Sequence, residues 1–276
     1  MKSLLVRIFG FPATLVHGDT LVLDRWLWLS KRLPTVPDGS KRLLDIGCGS
    51  GAFTIGAARR GFHSLGLSWD ERNQRVAAER AALCGAGRAA FELWDVRRLD
   101  ERTDLRDSFD VVVCFENIEH ILNDGKLMVD MANCLKPGGV LLLTTPNYDY
   151  IAISPSDNGP FSTTEDGGHV RRGYRAEDLF RLCKDADLEV LGIGSCSGFA
   201  SQKTTWLLRV ATRFLGLSGW AIVLPLRPIP PLIDPLISRF TKWPDFTITL
   251  VALKPNPGAG RSANDAAYGA ALQHRT

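Results

Sequence analysis

Two patterns of apolar and polar positions take turns along this chain. Short, nearly continuous apolar runs read as buried strands, and longer stretches with apolar residues every three or four positions read as helices. The strand-like runs are residues 43–46, 62–67, 89–94, 109–115, 140–145, 188–193 and 246–253. The helix-like stretches are 21–33, 52–60, 70–84, 119–135 and 175–186. Residues 109–115 (FDVVVCF) are apolar almost throughout, as a strand covered on both faces must be. Lys136-Pro137-Gly138-Gly139 ends the 119–135 stretch, and Asp70 stands where a helix cap is wanted. Strands that alternate with helices imply an α/β fold around a mostly parallel sheet.

Three regions fall outside that rhythm. Residues 1–40 form a helical lead-in closed by a turn-rich linker at 34–40. A long polar loop spans 146–173, and such loops in compact domains are usually functional or disordered. Residues 195–245 are rich in Trp, Leu, Pro and Arg, with an amphipathic stretch at 204–217. This segment reads as a lid over a pocket, an extra core layer, a dimer contact, or an element lying on a membrane through 204–237. Residues 255–276 carry little apolar periodicity and read as a disordered tail.

Composition adds constraints. The chain has 276 residues, with 45% apolar and 23% charged, ordinary for a globular domain of 41–254 with a small cap. A net charge of +3 and the absence of a basic, aromatic-interleaved patch argue against a nucleic-acid partner. Six cysteines are scattered without a C-x-x-C pair, which argues against a metal site or a disulfide framework and suits a reduced, cytoplasmic compartment. No signal peptide and no uncharged apolar run of about 20 residues is evident. Nothing in the chain sets an oligomeric state.

The chemistry centres on Leu43 to Gly51 (LLDIGCGSG), a strand running into a glycine turn and then a helix. Gly47, Gly49 and Gly51 let backbone approach a ligand closely, and the next helix aims its first N–H groups at it. Gly47-x-Gly49-x-x-Ala52 also fits the looser dinucleotide fingerprint, so a nicotinamide-dependent oxidoreductase is one alternative.

The motif order resembles the class I S-adenosylmethionine-dependent methyltransferases. LLDIGCGSG, ELWDV (92–96), FDVVVCFENIEHI (109–121) and LKPGGVLLLTTPN (135–147) resemble the family's four strand-end motifs. Glu116-x-x-Glu119-His120 and HVRRGYRAEDL (169–179) resemble the branch of ubiquinone-type and natural-product small-molecule methyltransferases. The resemblance implies a Rossmann-like seven-stranded sheet with the last strand antiparallel, and S-adenosyl-L-methionine as cofactor. It implies a small-molecule acceptor, with O-methylation of a sugar, lipid-like or natural-product hydroxyl expected; a non-catalytic cofactor-binding subunit is a further alternative.

The resemblance assigns cofactor contacts to Asp45, Gly47, Cys48, Gly49, Gly51, Ser68, Trp69, Asp95, Val96, Phe115 and Glu116. Ser68 departs from the pattern, because the family places a carboxylate there for the ribose diol and a serine cannot accept a bidentate pair. Asp70 either replaces that carboxylate or only caps its helix. His120 and His169 are candidates for taking a proton from the acceptor, since an imidazole titrates near neutrality. His120 also reads as a structural histidine. Arg171, Arg172 and Arg175 read either as an anion clamp or as a solvated basic face.

Overall fold

A computed structural model describes residues 3–16 and 21–256. The tail expected over 255–276 therefore lies, from residue 257 on, outside the described residues.

Seven strands form one sheet: β1 (Arg42–Ile46), β2 (His63–Ser68), β3 (Ala89–Leu93), β4 (Phe109–Phe115), β5 (Leu135–Pro146), β6 (Glu189–Cys196) and β7 (Thr247–Leu253). Their order is β3-β2-β1-β4-β5-β7-β6. The first five are parallel, and β7 runs antiparallel to both β5 and β6. The expected topology, with its reversed last strand, is what the chain adopts.

Alternation across β4 explains its apolar run. Val112 and Cys114 enter one core with Met128, Met131 and Leu179, while Val111 and Val113 enter the other with Trp28, Leu29 and Leu142. Each such side chain, taken fully from water, contributes about 1.5–3 kcal/mol. The first core is covered by α6 (Asp124–Cys134) and α7 (Ala176–Asp185). The second is covered by α3 (Leu21–Ser30) and α4 (Ala52–Arg59). A third cluster joins α4 to α5 (Glu71–Leu83) and to two short helices in the lead-in, α1 (Leu4–Phe9) and α2 (Phe11–Val16).

Two expectations are corrected. The helix read over 119–135 is two pieces: a 3-10 turn at Ile118–His120, then α6 from Asp124. Asn123 starts α6 anew, its side-chain oxygen accepting from the Lys126 N–H at 3.1 Å. Strand β5 begins at Leu135, not 140. Lys136-Pro137-Gly138-Gly139 is absorbed within it through a register shift between Phe109 and Val111.

The segment between β6 and β7 is three helices: α8 (Phe199–Leu215), α9 (Leu217–Val223) and α10 (Pro230–Thr241). Asp234 of α10 caps α8, accepting from the Ala200 and Ser201 N–H groups at 2.6 and 3.0 Å. Among the described residues, no single helix is long and apolar enough to cross a membrane.

Candidate active site

The strand order reverses between β1 and β4, and a crevice opens beyond the carboxyl ends of strands at such a point. A cleft of about 360 Å³ lies there, lined by Gly47, Gly49, Ser68, Trp69, Asp70, Asn73, Asp95, Val96, Arg97, Glu116, Asn117, His120, Ile121, Glu165 and Gly167. Eight of the thirteen residues assigned above to the cofactor or to proton transfer are on that wall, Gly47, Gly49, Ser68, Trp69, Asp95, Val96, Glu116 and His120, and Asp70 joins them.

The three glycines divide their labour. All have positive φ (+75°, +50° and +81°), a backbone region that L side chains rarely adopt. A Cβ on Gly47 would sit 2.4 Å from Asn117 Oδ1, so this glycine lets the β4 loop close against the turn. A Cβ on Gly51 would meet Ala77 and Phe91 at 2.8 Å, so it serves helix packing and not the cleft. Gly49 has nothing within 4 Å and faces open space on the cleft wall.

Five expected residues stand behind the wall. Asp45 is buried beneath the turn and accepts from Thr54 Oγ1 at 2.6 Å; burial pushes its carboxyl up to about 7. The Cys48 side chain turns inward to the Gln74 amide at 3.8 Å, and burial holds its thiol well above the usual range. Gly51 packs α5 and β3. The Phe115 ring sits in the core against Phe53 and Trp28, with centroids at 4.7 and 5.8 Å. His169 is absent from the cleft lining and packs against His120, ring edge to face at 4.6 Å.

At one end of the cleft, Ser68 Oγ accepts the Asp70 N–H at 3.2 Å. The Asp70 carboxylate caps α5, taking the Arg72 and Asn73 N–H groups at 2.8 and 3.1 Å, and still lines the cleft. Trp69 is 60% exposed beside it. Asp95 is gripped by Arg97, with Nε at 2.9 Å from one oxygen and Nη2 at 2.5 Å from the other. That grip holds the Asp95 carboxyl below its usual range. Arg97 reaches on to Glu165 Oε2 at 3.0 Å, and Glu165 Oε1 accepts the Leu122 N–H at 2.6 Å. The 147–173 loop is thereby strapped over the cleft.

At the other end, Glu116 has φ +48° and its carboxylate lies 3.0 Å from Arg25 Nη2 of α3. Thr144 Oγ1 also donates to it at 3.1 Å. Glu119 is fully buried, and burial beside Glu116 raises its carboxyl well above the usual range. Thr145 Oγ1 donates to Glu119 Oε2 at 3.1 Å. Its Oε1 has no hydrogen-bond partner among the described residues and lies 4.0 Å from His120 Nε2. His120 Nδ1 is 3.0 Å from the Gly168 carbonyl; a carbonyl only accepts, so Nδ1 is the donor, and in the neutral ring Nε2 holds the lone pair. Burial, then the neighbouring His120, lowers His169 to about 4, so it is neutral near pH 7. One ligand atom each from Glu119, His120 and His169 lie within 4.8 Å of one another. The set could share a proton or hold a cation, which the scattered cysteines did not foretell.

Arg171 and Arg172 are neither clamp nor solvated face. Arg171 binds Asp124 and the Ile121 and Leu122 carbonyls, and Arg172 binds the Tyr148 and Tyr150 carbonyls, so both pin the loop. Arg175 pairs with Asp149 at the surface.

A family model described as a methyltransferase domain matches residues 23–192, well over half of the chain. The chain belongs to this methyltransferase family. Membership sets aside the nicotinamide reading, and the match ends before the α8–α10 insert begins.

A curated relative of this methyltransferase, the ubiquinone biosynthesis O-methyltransferase of Neisseria meningitidis serogroup C (strain 053442), is 31% identical over 155 residues. That alignment covers 54% of this chain and 64% of the relative, so the chain spans somewhat under two thirds of it. Among solved structures, the 4+2 cyclase SpnF covers 84% of this chain and 81% of its own, at TM-score 0.57 and 22% identity. Geranyl diphosphate C-methyltransferase from Streptomyces coelicolor A3(2), solved with Mg2+, geranyl diphosphate and S-adenosyl-L-homocysteine, covers 83% of this chain and 76% of its own, at TM-score 0.53 and 15% identity. At these identities the likeness is one of fold.

The sequence reading missed Arg25, Asn73, Arg97, Asn117 and Glu165. Arg25 alone left a signal: it shares the buried face of α3 with Leu21, Trp28 and Leu29, where a charge demands a partner.

Proposed function

We propose that this chain transfers the sulfonium methyl of S-adenosylmethionine to a hydroxyl of a small molecule. The observation that carries the reading is the 3.0 Å contact between His120 Nδ1 and the Gly168 carbonyl, which leaves the Nε2 lone pair available on the cleft wall. The relative named as an O-methyltransferase supports an oxygen acceptor; a sugar, a lipid-like molecule and a natural product each present such a hydroxyl.

The cofactor, when bound, supplies a methyl already activated on a cationic sulfur. The protein's part is to hold, orient and take a proton. Gly47 and Gly49 give the cofactor's amino acid end a close passage. Ser68, Asp70 and Asn73 offer one oxygen each to a ribose, in place of a single bidentate carboxylate. Trp69 gives its ring face to the nucleoside. Asp95, held by Arg97, offers remaining lone pairs to an adenine amino group beside the Val96 N–H. Glu116 neutralises charge at the far end with Arg25. His120 Nε2 accepts the hydroxyl proton as oxygen attacks the methyl.

Isothermal titration with S-adenosylmethionine, followed by turnover on a panel of phenols and sugars, tests this. His120→Ala is expected to keep donor affinity within about threefold and to lose about 10²–10⁴ in kcat. Failure of the native chain to bind the donor overturns the reading. Unchanged kcat in His120→Ala removes the base and leaves positioning alone.

A second reading rests on the unpartnered Glu119 Oε1 beside His120 and His169. A divalent cation held there would acidify the hydroxyl itself. Two imidazoles with a carboxylate suit zinc, manganese or iron better than magnesium. Activity lost to a chelator and restored by zinc or manganese would select it over the base.

A further inference from the structure

We propose that the α8–α10 insert docks this protein onto the surface of a bilayer carrying anionic lipids. This inference does not depend on the methyl-transfer reading, since the insert lies outside the matched residues 23–192.

The insert is built inside out for a helix in water. Two inward positions of α10 are polar: Asp234 is buried as the cap of α8, and half-buried Ser238 donates from Oγ to Asp245 at 3.3 Å. The outward positions, four residues apart, are Leu232, Leu236 and Phe240, exposed by 78%, 62% and 77%. Phe214 at the end of α8 and Leu217 and Ile222 of α9 are likewise exposed. An amphipathic helix normally buries that stripe. Monomeric proteins rarely expose an apolar patch beyond a few hundred Å² unless something covers it.

The charges name what covers it. Lys203, Arg213 and Lys242 are exposed on these helices and at the end of α10. None of the three forms an ion pair with an acid among the described residues. Both acids of the segment are engaged: buried Asp234 caps α8, and half-buried Asp245 accepts from Ser195 and Ser238. A second copy of this chain seated on the same face would bring cations against cations with no acid to meet them. A layer of anionic head groups over an acyl interior matches both these cations and the apolar side chains. Leu217–Leu226 and Pro230–Ser238 are together long and apolar enough for a broken or re-entrant span but are bent by 64°, and among the described residues no single helix is long and apolar enough to cross a membrane.

The docked face is wired to the cleft. Arg209 of α8 bonds Asp157 at 2.8 Å and Ser154 at 2.9 Å, both on the 147–173 loop whose Gly168 carbonyl orients His120.

The test is flotation of the full chain with vesicles of phosphatidylcholine alone and with 30% phosphatidylglycerol, an about-30% level chosen to give a clear surface potential. Expected is binding to the anionic vesicles at least tenfold tighter than to the neutral ones, weakened by salt. The double variant Leu236→Glu/Phe240→Glu, and separately Arg213→Glu/Lys242→Glu, should each lower it at least tenfold. Arg72→Glu, on α5 far from the insert, should not. Circular dichroism and thermal melting check that each variant folds, as exposed positions should. Absence of flotation with either vesicle overturns the proposal. So does a native dimer, by light scattering, that Leu236→Glu/Phe240→Glu converts to monomer, since the face would then belong to a second copy.

Discussion

Arg25 and Glu116 meet at the end of the cleft away from Ser68, each more than four-fifths withdrawn from water. Removing one partner strands the other, which costs about 3–5 kcal/mol in such settings. Arg25→Met is therefore expected to lower the unfolding free energy by roughly 3 kcal/mol, measured by urea titration, although the substitution adds apolar volume. The glycines give a sharper contrast. Gly47→Ala drives a Cβ into Asn117 and must displace the β4 loop, whereas Gly49→Ala meets only backbone strain. Calorimetry with S-adenosylmethionine should show donor binding abolished in the first. In the second the affinity falls about tenfold, from strain of order 1–2 kcal/mol.

Helix α3 and the insert are joined by an acid with an unusual titration. Asp24 of α3 faces the Ser197 and Ser201 hydroxyls, with Asp234 and Arg25 beside it, and burial pushes its carboxyl up to about 7. In the unfolded chain the same group titrates near 3.8. Below about pH 4 both states hold the proton, and the site costs nothing. As pH rises towards 7 the unfolded chain releases its proton first, so stability falls across that window and levels off above it. Asp24→Asn should match the native protein near pH 4.5 and exceed it at pH 8 by on the order of 2 kcal/mol, measured by denaturant titration at the two pH values. The elements themselves were legible wherever one period ran unbroken, as in β4, α5 and β7. The 119–135 stretch was not, because Asn123 restarts the helix through a side-chain cap while the apolar spacing runs on across the break. The insert's amphipathicity was visible, but its inside-out placement depends on Asp234 reaching α8 from 33 residues away.

Across the whole molecule, the sheet order and the cleft at its switch point follow from alternating strands and helices, and eight expected residues line that cleft. What sequence could not supply were partners brought together by the fold: Arg97 with Glu165, Arg25 with Glu116, and the Gly168 carbonyl with His120. Asp45 and Cys48, both assigned as contacts by the resemblance, point their side chains behind the turn, where Asp45 accepts from Thr54 and Cys48 meets Gln74. Arg97 and Glu165 leave a signature that only intact protein can report. Their ion pair is partly exposed and closes the loop over the crevice, so dissolved electrolyte loosens it, while the same electrolyte would weaken the proposed attachment to a charged lipid layer. Ligand residence in solution should therefore shorten as potassium chloride is raised, and Arg97→Gln should lose that dependence in stopped-flow release of product. On vesicles the two responses oppose each other, and throughput should peak at an intermediate ionic strength.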